Sequence, residues 1–151
     1  SAARHPGLTA AAGEPAAAAL PPVVAKAWRR LRKGGRRLHA DGPDAEWHEV
    51  RILAKRARYA GEAVAPALGK RAARLAAAAE SVQDVIGEHQ DAVVAASAVA
   101  DVAAEHPGDL ALVLVCGRLV ERERAAVRAA RAAFPKAWKK ASAPAITAWL
   151  R

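Results

Sequence analysis

From residue 22 to residue 134, apolar positions return every three or four residues, and the alternation expected of strands is absent. Four helical segments carry this period. In the first, about residues 22–40, Val24, Trp28, Leu31 and Leu38 form an apolar face, while Lys26, Arg29, Arg30, Lys33, Arg36 and Arg37 occupy the other side. Pro22 stands where a helix tolerates proline. Gly34 and Gly35 weaken the helix by roughly 1 kcal/mol each relative to alanine and allow a kink or a close backbone approach. Asp41-Gly42-Pro43 reads as a turn, with Asp44 as N-cap of the second helix, about residues 44–67, which Pro66 and Gly69 end. There Val50, Leu53, Ala57, Ala60 and Val64 share one face, and His48, Arg51, Lys55, Arg58, Tyr59 and Glu62 the opposite one. The third, about residues 70–105, has Leu75, Val82, Ile86 and Val93 in phase, with Asp84, Glu88 and Asp91 on another face. The fourth starts near Asp109 and reaches at least Phe134, packing through Leu112, Cys116, Leu119, Val120, Val127 and Phe134, with a kink expected at Pro135. Short connections between amphipathic helices predict an all-α fold, an antiparallel four-helix bundle over residues 22–151. Residues 1–21, rich in Ala, Pro and Gly without an apolar period, read as a linker or tail.

Composition changes the picture mainly through charge. The chain of 151 residues, long enough for one domain with a real core, has a formal net charge of +9. Residues 1–75 hold 15 Lys/Arg against 6 Asp/Glu, and residues 76–151 hold 9 of each, so the first half carries the whole excess. A one-sided basic surface points to a polyanion: nucleic acid, an acidic membrane or a chain of phosphates. A single cysteine, Cys116 in an apolar run, gives no disulfide framework or cysteine-based zinc site and fits a reducing, cytoplasmic setting. No apolar stretch approaches the roughly 18–20 residues that span a bilayer, so no membrane partner is expected.

The candidate chemistry is electrostatic. Guanidinium groups hold phosphate oxygens with two parallel hydrogen bonds, and lysine acts as a point charge. Helix positions on one face advance by about 5–6 Å, which suits an extended phosphate chain. His48, on the face of Arg51 and Lys55, could donate to such an anion, while the phase of His89 beside Val82, Val85, Ile86 and Val93 reads as a half-buried structural histidine. Neither His48 with Glu49 nor the run Glu88-His89-Gln90-Asp91 matches a metal pattern, and no metal or other cofactor is expected. Gly61 and Gly69-Lys70 lack phosphate-loop spacing, and Ser81, Ser97 and Ser142 lack a nucleophile-elbow context, so no catalytic set emerges. There is no asparagine, the two glutamines are Gln83 and Gln90, and Tyr59 is the one tyrosine. Base reading and stacking are therefore disfavoured, while nonspecific binding to a nucleic-acid backbone stays open.

The pattern His48-x-x-Arg51-x-x-x-Lys55-Arg56-x-Arg58-Tyr59 resembles the signature of the CHAD family, the conserved histidine α-helical domain. The run from Val82 to Asp91, VQDVIGEHQD, resembles that family's Leu-Gly-x-x-x-Asp segment on the next long helix. The likeness covers about residues 20–140 and looks like one half, the C-terminal half, of a two-bundle domain. It implies a non-catalytic module that binds inorganic polyphosphate, with sulfate or phosphate able to substitute, and association with polyphosphate granules in some members. Carried over by motif, the ligand-facing residues are His48, Arg51, Lys55, Arg56 and Arg58; Arg29, Arg30, Lys33 and Arg37 join them on phase and charge. Tyr59 and Asp91 orient the cations and pack. The family also implies a rival role, as the accessory substrate-binding part of a CYTH-type triphosphatase or other phosphohydrolase. With one bundle of the two, a closed channel requires a homodimer with cationic faces opposed across an anion, or an N-terminal half-domain from elsewhere.

Overall fold

The computed structural model describes residues 10–150. Part of the expected tail, residues 1–9, and Arg151 lie outside the described residues. Among those described, every regular element is helical: α1 (Ala16–Gly35), α2 (Asp44–Leu68), α3 (Lys70–Glu105), α4 (Leu110–Ala141) and the short α5 (Pro144–Thr147), with 3-10 turns at Ala10–Gly13 and Ala148–Leu150. The bundle expected from the apolar period is therefore present. No described helix is long and apolar enough to cross a membrane.

Helix α1 starts at Ala16, six residues earlier than expected, and runs through Pro21 and Pro22 before ending at Gly35. The run Ala16–Ala19 favours helix, and Pro21 and Pro22 fall near the start, where few carbonyls lose a donor. Asp44 is the first residue of α2 rather than its cap; Pro43 is the N-cap, and no side chain caps the end. Pro66 lies inside α2, which stops at Gly69, whose φ of +68° reverses the chain into α3 within one residue. Helix α4 likewise continues through Pro135.

Burial follows the period in α1, α2 and the first half of α3, whereas of the face expected on α4 only Cys116 and Phe134 are buried and Leu119 is exposed, because α1 and α2 do not cover that part of the helix. Val24, Trp28 and Leu31 of α1, Trp47, Val50, Ala54, Ala57 and Val64 of α2, Leu75, Val82 and Ile86 of α3, and Phe134 of α4 form the core. Rings thread through it. Trp28 stacks on Trp138, Trp138 on Phe134, Phe134 meets Trp47 edge-on, and Trp47 stacks on His89, with centroids 5.0–6.0 Å apart. This ladder ties all four long helices together. Gly35 makes it possible: a Cβ there would sit 2.6 Å from the Trp138 ring, so the glycine serves close approach.

The helices differ in length. At 1.5 Å per residue, α1 is about 30 Å long and α3 about 54 Å. Core residues of α3 end at Ile86, and those of α4 begin at Phe134. Beyond them the end of α3 and the start of α4 project as a two-helix hairpin.

Candidate anion-binding face

Helix α1 contains no acidic residue, and its seven cations, counting Arg36 and Arg37 just past its end, are all exposed. Two stripes result. Arg30, Lys33 and Arg37 follow i, i+3, i+7 spacing, as do Arg29, Arg32 and Arg36. None of the seven takes part in an ion pair among the described residues. Four like-charged i, i+4 pairs (Lys26–Arg30, Arg29–Lys33, Arg32–Arg36 and Lys33–Arg37) each cost roughly 0.2–0.5 kcal/mol. A bound polyanion would relieve that cost.

The first stripe borders a groove of about 420 Å³ between α1 and α2. Arg30, Lys33 and Arg37 enter from α1 and Arg56 from α2, over a floor of Gly34, Val50 and Leu53, while Glu46 and Glu49 line the α2 side. The second stripe continues around α1: Arg29, Arg32 and Arg36, with Lys33 and Arg37, border a shallow depression of about 470 Å³ lined by cations alone. Arg29, Arg32 and Arg36 also flank Trp138 and Ser142.

The remaining candidates lie on the other side of α2. His48 is exposed, and its Nδ1–H donates to Gln90 Oε1 of α3 at 3.3 Å. Arg51 is half-buried, with Nε enclosed and without a hydrogen-bond partner, next to Gly87 of α3. Arg58 is engaged: its Nε donates to Glu62 at 2.7 Å, and its Nη2 lies 3.0 Å from Glu80. The bond to Glu62 raises its pKa against the pull of burial, helped by the charges of Glu62 and Glu80. Lys55 and Arg58 stand 6.0 and 5.9 Å from the Tyr59 ring centroid, so this exposed phenol does sit among cations. The structure thus brings Arg30, Lys33, Arg37 and Arg56 together, sets Arg29 beside them on α1, and turns His48, Arg51, Lys55 and Arg58 towards α3 and solvent.

Arg131 of α4 is the residue that sequence reasoning passed over. Its Nη2 donates to Asp44 Oδ1 at 2.6 Å, its Nη1 to the Ala40 carbonyl, and its Nε to His89 Nε2 at 3.1 Å. It also lies 5.2 Å from the Trp47 ring centroid. This side chain pins α4 to α2, α3 and the turn after α1. No spacing signal could have found it, because its partners lie 42 to 91 residues away. His89 is fully buried rather than half-buried. Asp44 Oδ1 lies 3.2 Å from the same His89 Nε2, a contact that would favour a protonated ring. Arginine can only donate, so Nε2 accepts and the proton sits on Nδ1, which is buried without a partner. The ring is neutral. Burial lowers its pKa below 6.5, the charge of Arg131 lowers it further, and Asp44 opposes both. The cluster is structural, and among the described residues no group of three or more metal-ligating side chains occurs.

Fold and site define a helical-bundle protein whose cationic side chains are concentrated along its first long helix and unpaired there among the described residues. The chain belongs to the CHAD domain family, whose model matches residues 1–100. The match begins earlier and ends sooner than the motifs indicated: it takes in α1, α2 and most of α3 and leaves α4 outside. No curated protein and no solved structure matches the chain.

Proposed function

We propose that this protein binds inorganic polyphosphate without catalysis, with the α1 stripes and Arg56 as the principal contact. The observation that carries this reading is the row of seven exposed cations on α1 that find no acidic partner among the described residues. An anion with many closely spaced charges relieves the repulsion of the whole row. A small monovalent anion relieves one neighbour pair. The groove sets Arg30, Lys33, Arg37 and Arg56 around the apolar Val50 and Leu53. Glu46 and Glu49 offset two of the four cations at the groove, so the densest positive potential lies on the outer stripe of Arg29, Arg32 and Arg36.

His48, Arg51, Lys55 and Arg58 form a second, weaker part of the reading. Arg58 already has two carboxylates, which an incoming phosphate would have to displace. Lys55 is exposed and pairs with no acid among the described residues, and His48 would need to exchange its bond to Gln90.

The test is a titration with long-chain polyphosphate at several salt concentrations. Each phosphate neutralised releases a counterion, so affinity should fall linearly on a double-logarithmic plot, by analogy with nucleic acids. Substituting Arg29→Gln, Arg32→Gln and Arg36→Gln together should flatten that slope. An unchanged slope would place the site off the outer stripe.

A further inference from the structure

We propose that the recess between α1 and the C-terminal segment is a binding site for a nucleoside triphosphate. Its volume is about 380 Å³, within the range of about 300–1,000 Å³ usual for small-molecule sites. Its lining divides into two chemistries. Arg29, Arg32 and Arg36 of α1 supply the cations. The rest includes Trp28, Trp138 and Leu150, with Ser142 at the end of α4 and Thr147 in α5. Among the described residues no carboxylate borders this recess, whereas Glu46 and Glu49 border the groove between α1 and α2.

The cations select the anionic end of the ligand. Arg29, Arg32 and Arg36 cover about 10 Å of the helix axis. None of them has an acidic partner among the described residues. Forked guanidinium groups at that spacing suit linked phosphates. A small singly charged anion would leave most of the positive charge uncompensated.

The remaining lining selects the other end. Trp28 is buried and Trp138 half-buried, so the indoles offer apolar surface. The Ser142 hydroxyl donates to the Trp138 carbonyl at 2.7 Å, and the Thr147 hydroxyl to the Ala143 carbonyl at 3.2 Å. A hydroxyl has one proton, and here both protons are committed within the chain, so each oxygen is left as an acceptor. An ionised phosphate chain has no proton to give these oxygens and no apolar surface for the indoles. A nucleoside has both: its ribose hydroxyls and base amino groups donate, and its ring covers apolar surface. Inorganic polyphosphate would use the arginines alone, whereas a nucleoside triphosphate uses the whole recess. The two ligands share Arg29, Arg32 and Arg36, but the recess does not rest on the polyphosphate reading.

Isothermal titration calorimetry of the full chain with ATP and with inorganic triphosphate, free of divalent cations and at about 150 mM salt, tests this directly. ATP should bind about tenfold tighter than inorganic triphosphate, because it alone can donate to the two hydroxyl oxygens. Ser142→Ala with Thr147→Val removes both acceptors and leaves every charge in place. It should cut that preference to about threefold or less, with unchanged helical circular dichroism and unchanged polyphosphate affinity. The inference is overturned by the absence of ATP binding, by equal affinity for the two ligands in the wild-type chain, or by a preference that survives the double substitution. Preferential ATP binding by a chain that does not bind long-chain polyphosphate would uphold the recess and reject the function proposed above.

Discussion

Helices α1 and α4 are both rich in arginine, and they use it in opposite ways. Along α4, Arg128 lies 3.0 Å and Arg124 3.8 Å from Glu121, and Arg131 reaches Asp44 at 2.6 Å. Along α1, no cation has a carboxylate within ion-pair distance among the described residues. Exposed pairs such as those of Glu121 contribute little, about 0.2–1 kcal/mol, but they neutralise the surface. Arg131 does more, because its partners are a buried ring and the end of a turn. The lesson is that count of arginine does not locate a binding face. What locates it is arginine whose charge the fold leaves uncompensated, at a cost to the fold itself.

The comparison breaks most visibly at Arg131. Arg131→Ala would strand the His89 ring, the Asp44 carboxylate and the Ala40 carbonyl without their shared donor. The expected loss is about 2–4 kcal/mol in denaturant unfolding, since it opens a partly buried network. Polyphosphate affinity of the folded protein should change by less than about twofold. A large affinity loss with intact stability would make Arg131 a ligand residue and erase the contrast.

On α1 the reverse is expected. Replacing Arg30, Lys33 and Arg37 with glutamine should lower polyphosphate affinity by about tenfold or more, at roughly 0.5–1 kcal/mol per exposed contact. The midpoint of thermal unfolding should hold or rise, because three like charges leave one helix. A destabilised variant would show that these cations have partners in the fold after all.

A pH series sharpens the structural side. His89 is neutral in the folded state with its pKa lowered from 6.5, by burial first and Arg131 second. Unfolded chains take up the proton first as pH falls, so stability is complete above pH 6.5, declines below it, and levels off once the folded ring protonates at lower pH. Unfolding midpoints between pH 8 and 5 should show this decline, and His89→Gln should flatten it. A rise in stability on acidification would mean the ring is charged and paired with Asp44. The smallest effect belongs to Arg124→Gln with Arg128→Gln, expected to shift stability by under about 1 kcal/mol and polyphosphate affinity by under twofold, measured by the same unfolding and titration.

Much of this architecture was legible in the residue pattern. The bounds of α3 fell where Gly69 and Pro107-Gly108 punctuate the period, and Val24, Trp28 and Leu31 of the expected α1 face and Val50, Ala57 and Val64 of the expected α2 face are buried, whereas the buried Trp47, Ala54 and Leu68 were not assigned to it. Misjudged positions share a cause. Pro22 and Pro66 were read as helix boundaries, yet each lies inside a helix, because tertiary packing outweighs one or two lost hydrogen bonds. Asp44 has the sequence of a cap, but Arg131 holds its carboxylate instead. At the candidate site, phase revealed which residues of α2 leave the core. It could not show that α3 would occupy part of that polar side, engaging Arg58 and His48, while Arg56 turned to α1. Such sorting depends on which neighbour covers which flank, and that is set by contacts distant in sequence.

The most direct measurement is a competition titration at about 150 mM salt, where surface charges are screened beyond roughly 8 Å. Long-chain polyphosphate is set against single- and double-stranded DNA at equal phosphate concentration, for the wild-type chain and the Arg30/Lys33/Arg37 glutamine variant. Tighter binding of polyphosphate, weakened about tenfold or more in the variant, is the predicted result. DNA binding as tight or tighter, or polyphosphate affinity unchanged by the three substitutions, would contradict it.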